Sequence, residues 1–188
     1  MDYHQPSFYH FSEDSIELAK LAFKQAQFFE CVLDLGCGCG VIGMEFAALK
    51  GESSFQLDGV DIESSYEDFF KTNARSLDLM QTCFTQGNFF KLSELGLKST
   101  YDVIFLNPPY YDIFSSRRSL DLKTDRAKRM DMSQLEQLAS EVKKKMSSES
   151  DFFLCHKTST NVFEKFVQCF SVESVHVKKK TSYYHLKL

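Results

Sequence analysis

The chain has 188 residues, 43% of them hydrophobic, enough for one globular domain with a substantial core, and its 26% of charged residues gives no sign of global disorder. A net charge of −4 argues against a protein that coats nucleic acid nonspecifically, because such binding neutralises phosphates with Lys and Arg, but it leaves room for a local basic patch. No apolar run is long enough to span a bilayer, and the N-terminal Met1-Asp2-Tyr3-His4-Gln5-Pro6 lacks the basic-then-apolar order of a signal peptide, so a cytoplasmic monomer without membrane contact is the default expectation.

In chain order, helical periodicity predicts helices over residues 13–28, 41–50, 65–78, 133–145 and 162–170. Short apolar runs predict strands over 31–35, 55–62, 82–85, 102–106, 152–155, 172–177 and 182–188. The alternation implies right-handed crossovers and an α/β fold: a seven-stranded, mostly parallel sheet with helices on both faces. Only Lys178-Lys179-Lys180-Thr181 joins the last two strands, too short for a parallel crossover, so they should form an antiparallel C-terminal hairpin. Ser12 reads as the N-cap of the first helix, with Glu13 and Asp14 in its first turn. The segment 111–130 is polar, charged and aperiodic, and a loop that long within a compact domain is usually functional. The six cysteines form no C-x-x-C pair and read as reduced core or loop residues, with no metal site.

Val32-Leu33-Asp34-Leu35-Gly36-Cys37-Gly38-Cys39-Gly40 is a buried strand running into a glycine turn that opens a helix at Val41. Glycines there allow positive φ and close approach of a ligand to the backbone. The next strand ends in Gly59-Val60-Asp61-Ile62-Glu63, which puts Asp61 where a carboxylate accepts both ribose hydroxyls of an adenosine-containing ligand. Asp34, just before the turn, would repel a phosphate but suit a cationic amino-acid group. A sulfonium and an ammonium with no phosphate describe S-adenosylmethionine. Asn88, after the third strand, can offer its carbonyl oxygen to the adenine amino group of such a ligand. The combined D-x-G-x-G-x-G string, Asp34 to Gly40, resembles that of class I S-adenosylmethionine-dependent methyltransferases, which implies a three-layer Rossmann-like fold and one methyltransferase domain over residues 1–188, with residues 1–30 as an N-terminal helical cap.

The strand at 102–106 leads into Asn107-Pro108-Pro109-Tyr110 at its carboxyl end, where open α/β sheets bind ligands. An amine attached to a π system is a poor nucleophile because its lone pair is delocalised. Two acceptors aimed at its hydrogens would favour a pyramidal nitrogen, and the Asn107 side-chain oxygen and the Pro108 carbonyl can be those acceptors. Proline after Asn107 keeps its backbone extended, which fixes both directions. Tyr110 can stack on the flat target, an interaction worth about 1–3 kcal/mol. The tetrapeptide resembles the N-P-P-Y motif of amino-methyltransferases.

Gln5-Pro6-Ser7-Phe8-Tyr9-His10-Phe11-Ser12-Glu13-Asp14-Ser15 resembles the entry motif of bacterial tRNA adenine-N6 methyltransferases, and Arg126-Ala127-Lys128-Arg129 resembles their R-x-A-R element. The resemblance implies a tRNA partner, with Phe11, Arg126 and Arg129 at the substrate and residues 111–130 facing it. Within that segment Arg117, Arg118, Lys123, Arg126, Lys128 and Arg129 outnumber Asp121 and Asp125, which suits RNA phosphates. The rival is a protein glutamine methyltransferase acting on release factors. Its members usually carry an N-terminal helical domain, for which the thirty residues ahead of the first strand are too few. A non-catalytic S-adenosylmethionine-binding subunit is a third reading, against which the intact Asn107–Tyr110 motif speaks.

Overall fold

The computed structural model describes residues 2–51, 55–114, 119–157 and 162–188. The strands are β1 (Cys31–Leu35), β2 (Gln56–Asp61), β3 (Thr82–Gln86), β4 (Val103–Leu106), β5 (Tyr111–Asp112), β6 (Arg129–Met130), β7 (Asp151–Lys157), β8 (Ser171–Lys178) and β9 (Thr181–Lys187). The helices are α1 (Glu13–Gln25), α2 (Val41–Lys50), α3 (Glu67–Ser76), α4 (Leu122–Lys128), α5 (Leu135–Lys143) and α6 (Val162–Val167). Seven strands form one sheet in the order β3-β2-β1-β4-β7-β9-β8, parallel as far as β7 and antiparallel through the β9–β8 hairpin. The chain leaves β1 toward one edge and β4 toward the other. Their adjacent carboxyl ends therefore open a crevice at the point where the strand order reverses.

Strands buried on both faces need apolar residues at every position, and β4 is buried at all four. Alternate side chains then feed two cores. Val103, Phe105 and Phe153 pack beneath α1, α2 and α3 with Leu18, Phe46 and Phe70, whereas Ile104, Leu106 and Phe152 pack against α5 and α6 with Leu138 and Phe166. The three-layer architecture follows from this period of two. Among the described residues, no helix is long and apolar enough to cross a membrane.

The segment 111–130 departs from its aperiodic reading. Arg117 and Arg118 lie outside the described residues, but the rest contains β5, α4 and β6, with Tyr111 paired to Arg129 and Asp112 to Met130 in a parallel ladder. Asp121 starts α4 by accepting a hydrogen bond from the Thr124 N–H at 2.7 Å. The helix buries no residue, so it carries no apolar stripe that periodicity could detect. Ser12 occupies the N-cap position of α1 but makes no capping bond; its hydroxyl donates to Asp14 Oδ2 at 3.4 Å instead.

Candidate functional site

The turn after β1 wraps over the end of β2. Gly36 and Cys37 donate their backbone N–H groups to the Val60 carbonyl at 2.8 and 3.1 Å, and Gly38 N–H donates to Asp61 Oδ2 at 2.9 Å. Gly36, Gly38 and Gly40 all have positive φ. At Gly40 (φ 84°) the requirement is doubled, because an added Cβ would lie 2.5 Å from Met44 Cε and 2.8 Å from Phe70. Asp61 braces the structure: its second oxygen, Oδ1, accepts from Glu63 N–H at 2.9 Å. Burial raises its carboxyl to about 6, against the lowering effect of those N–H groups.

Above this turn lies a cleft of about 820 Å³, its open mouth included. Gly36, Cys37, Gly38, Asp61, Ile62 and Phe89 line it together with Tyr9, Phe11, Asn107, Pro109 and Arg126. Of the residues expected to hold a cofactor, Gly36, Gly38 and Asp61 line it; Asp34, Gly40 and Asn88 do not. Gly40 instead caps α2. Asn88 Oδ1 accepts from Phe90 N–H at 3.0 Å and starts a 3-10 turn, so its carbonyl serves the backbone, and the neighbouring Phe89 takes the place in the cleft wall. Asp34 lies beneath the turn with no exposed surface. Its Oδ2 accepts from Gly43 N–H at 3.2 Å while its Oδ1 has no partner. Burial raises this carboxyl to about 7; the Gly43 bond works against that shift and Asp61 adds to it.

Glu63 was not among the expected site residues, yet it is buried and lines the cleft. Burial alone would raise its carboxyl, but hydrogen bonds from Ser65 and Arg126 outweigh that and hold it below the usual range. Its Oε2 accepts from Arg126 Nη1 at 3.2 Å, so the exposed Arg126 of α4 reaches across to the end of β2. The signal for Glu63 was the acid two residues after Asp61 in the same strand-end string. Arg129 is a correction to the expectation of a substrate contact. Its side chain is only 5% exposed, bridges both oxygens of Asp125 at 3.0–3.1 Å and donates to the Ile113 carbonyl. Those bonds hold β5, α4 and β6 together.

A second cavity, about 630 Å³ with its mouth, adjoins the first and shares Tyr9, Ser12, Asn107, Pro109 and Ala127 with it. Asp14, Pro108, Tyr110, Tyr111, Lys128 and Lys157 complete its wall. Asn107 Nδ2 donates to Ser15 Oγ at 3.1 Å. The Tyr110 hydroxyl lies 2.9 Å from Asn107 Oδ1, 3.0 Å from Asp14 Oδ2 and 3.9 Å from Cys155 Sγ. Burial, then the neighbouring Cys155 and Asp14, push that hydroxyl far above the usual tyrosine range, so it stays protonated. Lys157 Nζ stands 5.1 Å from the centre of the Tyr110 ring, and Tyr183 donates to Asp14 Oδ1 at 2.8 Å.

The first cleft fits S-adenosylmethionine in its donor set. Bare backbone at Gly36 and Gly38 admits close approach, the carboxylates of Asp61 and Glu63 suit ribose hydroxyls, and the Ile62 and Phe89 side chains suit an adenine ring. The unpartnered Asp34 oxygen beneath the turn favours a cation above it and disfavours a phosphate.

Comparison with known proteins agrees. The methyltransferase-domain family matches residues 30–186. The release factor glutamine methyltransferase of Buchnera aphidicola is 31% identical over 80 residues, 43% of this chain and 27% of that protein. The chain thus aligns with little more than a quarter of the length of the curated relatives it matches. Among solved structures, TrmN from Thermus thermophilus superposes with a TM-score of 0.69 at 16% identity, covering 92% of this chain and 48% of that one. SMU.776, solved in complex with SAH, also gives 0.69 at 14% identity, covering 95% and 50%. The family match over most of the sequence agrees with the fold and with the cleft above the glycine turn: the chain belongs to the class I methyltransferase-domain family, whose cofactor is S-adenosylmethionine.

Proposed function

We propose that the chain is an S-adenosylmethionine-dependent N-methyltransferase whose acceptor is the exocyclic N6 of an adenine in RNA, with tRNA the first substrate to test. The observation that carries this reading is the position of Asn107-Pro108-Pro109-Tyr110 in the wall between the two cavities, with Asn107 and Pro109 bordering both. A methyl donor on one side and a planar amine on the other would meet there. When bound, the cofactor supplies an electrophilic methyl group. This chain's own residues bind and orient: Gly36, Gly38, Asp61, Glu63 and Phe89 would hold the donor, while Asn107 Oδ1 and the Pro108 carbonyl would take the hydrogens of the acceptor nitrogen. No general base is required, because the proton can leave once the nitrogen has become cationic. In-line positioning is worth up to roughly 7–11 kcal/mol in favourable systems.

The second cavity supports a nucleobase because its wall combines Tyr9, Tyr110 and Tyr111 with Lys128 and Lys157, aromatic faces beside cations that suit phosphates. Lys123 and Arg126 are exposed on the same helix as Lys128, whereas Arg129 contributes no surface charge. A second reading, N5-methylation of a protein glutamine, is favoured by the 31% identity to release factor glutamine methyltransferases, since a carboxamide is also a planar nitrogen. Incubation with tritiated S-adenosylmethionine and unmodified total tRNA, followed by nucleoside analysis, should yield labelled N6-methyladenosine. Label confined to an added release factor would replace RNA with protein glutamine as the substrate. Label in neither would refute both.

A further inference from the structure

Neither Asn107 nor Tyr110 fixes its own polarity. A carboxamide presents oxygen on one side and NH2 on the other with nearly the same shape, and a tyrosine hydroxyl has one proton to give. Both choices are made by the first turn of α1. Ser15 Oγ accepts from Asn107 Nδ2 at 3.1 Å, which turns Asn107 Oδ1 toward the Tyr110 hydroxyl. That hydroxyl has two acceptors within reach, Asn107 Oδ1 at 2.9 Å and Asp14 Oδ2 at 3.0 Å. A carboxylate outcompetes an amide oxygen for the proton. Asp14 is itself anchored, because its other oxygen accepts from Tyr183 at 2.8 Å. With the proton drawn to Asp14, the Asn107 and Tyr110 oxygens face each other with no hydrogen between them. Asn107 Oδ1 is then open to one hydrogen of an incoming –NH2 group, whose other hydrogen the Pro108 carbonyl would take.

We propose that Asp14 and Ser15 are positioning residues of the acceptor site: Ser15 fixes the Asn107 amide, and Asp14 draws away the Tyr110 proton so that Asn107 Oδ1 stays open to an incoming amine. The proposal rests on the N-methyltransferase reading above and goes beyond the N-P-P-Y tetrapeptide, since both residues lie more than ninety positions earlier in the chain.

A double-mutant cycle tests it: wild type, Asp14→Asn, Tyr110→Phe and the double variant, with turnover read on total tRNA and cofactor affinity by calorimetry with S-adenosylmethionine alone. Asp14→Asn should lower kcat about tenfold or more, the loss expected for one misdirected hydrogen bond, with the cofactor Kd unchanged. In the Tyr110→Phe background, which has no proton to misdirect, the same substitution should cost nothing further. An equal loss in both backgrounds, or no loss in the first, overturns the proposal. If wild type itself labels no RNA, the substrate reading has failed separately, and the same cycle is read by NMR without any acceptor. Asp14→Asn should then displace the Asn107 side-chain amide resonances in the wild-type background and not in Tyr110→Phe; resonances unmoved in both overturn it. Should Asp14→Asn fail to fold, Ser15→Ala should lower turnover and displace the same resonances. Unchanged resonances and turnover in Ser15→Ala overturn the proposal as well.

Discussion

Replacing Asp34 with Asn should reverse its effect on stability between mildly acidic and mildly alkaline pH. Asp34 is completely buried, one oxygen is unpartnered, and burial raises its carboxyl from the ordinary 3.8 to about 7. A shift of that size is roughly a thousandfold in proton affinity, or about 4 kcal/mol at 1.36 kcal/mol per tenfold. The sign follows from proton counting. Between pH 4 and 7 the native chain holds a proton on Asp34 that the unfolded chain has already released, so stability falls as pH rises through this window and levels off above it. Asn is the permanently neutral isostere; its NH2 would take the place of the unpartnered oxygen and cost about 1–3 kcal/mol at every pH. Asp34→Asn should therefore be the less stable protein near pH 4.5 and the more stable one near pH 8. Urea unfolding followed by far-ultraviolet circular dichroism at pH steps from 4.5 to 8 measures this. Asp61, raised to about 6, titrates in both proteins and cancels in part, since its charge also contributes to the rise at Asp34. Parallel stability curves would refute the reasoning, since they would mean that Asp34 is no more protonated in the folded than in the unfolded chain. A bound cation offsets the same buried charge, so the affinity of wild type for S-adenosylmethionine should tighten as pH rises toward 8, and Asp34→Asn should lose that trend.

Asn107→Ala should nearly abolish methyl transfer while calorimetry finds cofactor affinity close to wild type, because Gly36, Gly38, Asp61, Glu63 and Phe89 remain to hold the cofactor. The two arginines of the R-x-A-R element should behave oppositely. Arg126→Ala, with its side chain 56% exposed, should cost under about 1 kcal/mol in urea unfolding yet weaken RNA binding and flatten its salt dependence. Arg129→Ala takes an ion-pair partner from Asp125 and a donor from the Ile113 carbonyl and should cost about 1–3 kcal/mol in the same assay. Gly40→Ala combines a left-handed backbone with a 2.5 Å contact and should lower unfolding stability by about 1–3 kcal/mol or more, with cofactor affinity falling as the turn shifts.

Backbone preferences are written locally, and they were legible. Apolar runs at 31–35 and 102–106 are buried strands β1 and β4, the glycine string turns where positive φ demands it, and Lys179 and Lys180 close the expected hairpin. Asn107 at the carboxyl end of β4 follows from the same reasoning, since strand and tetrapeptide are contiguous. What a side chain faces was not legible. Asn88 reads as a ligand and acts as a cap, because whether its oxygen meets a ligand or Phe90 N–H depends on how the chain turns after β3. Arg129 reads as surface charge and is buried, because α4 and the β5–β6 pair leave no periodic trace to announce a packed segment. Glu63 meets Arg126, and Asp14 and Ser15 meet Tyr110 and Asn107, only once the strand order β2-β1-β4-β7 and the packing of α1 on that sheet bring distant residues together. The sequence by itself determined the strands of the main sheet and the motif that ends β4. Tertiary structure alone decided which polar groups share the cleft, because hydrogen bonds between residues more than sixty positions apart depend on the path of the chain rather than on any local propensity.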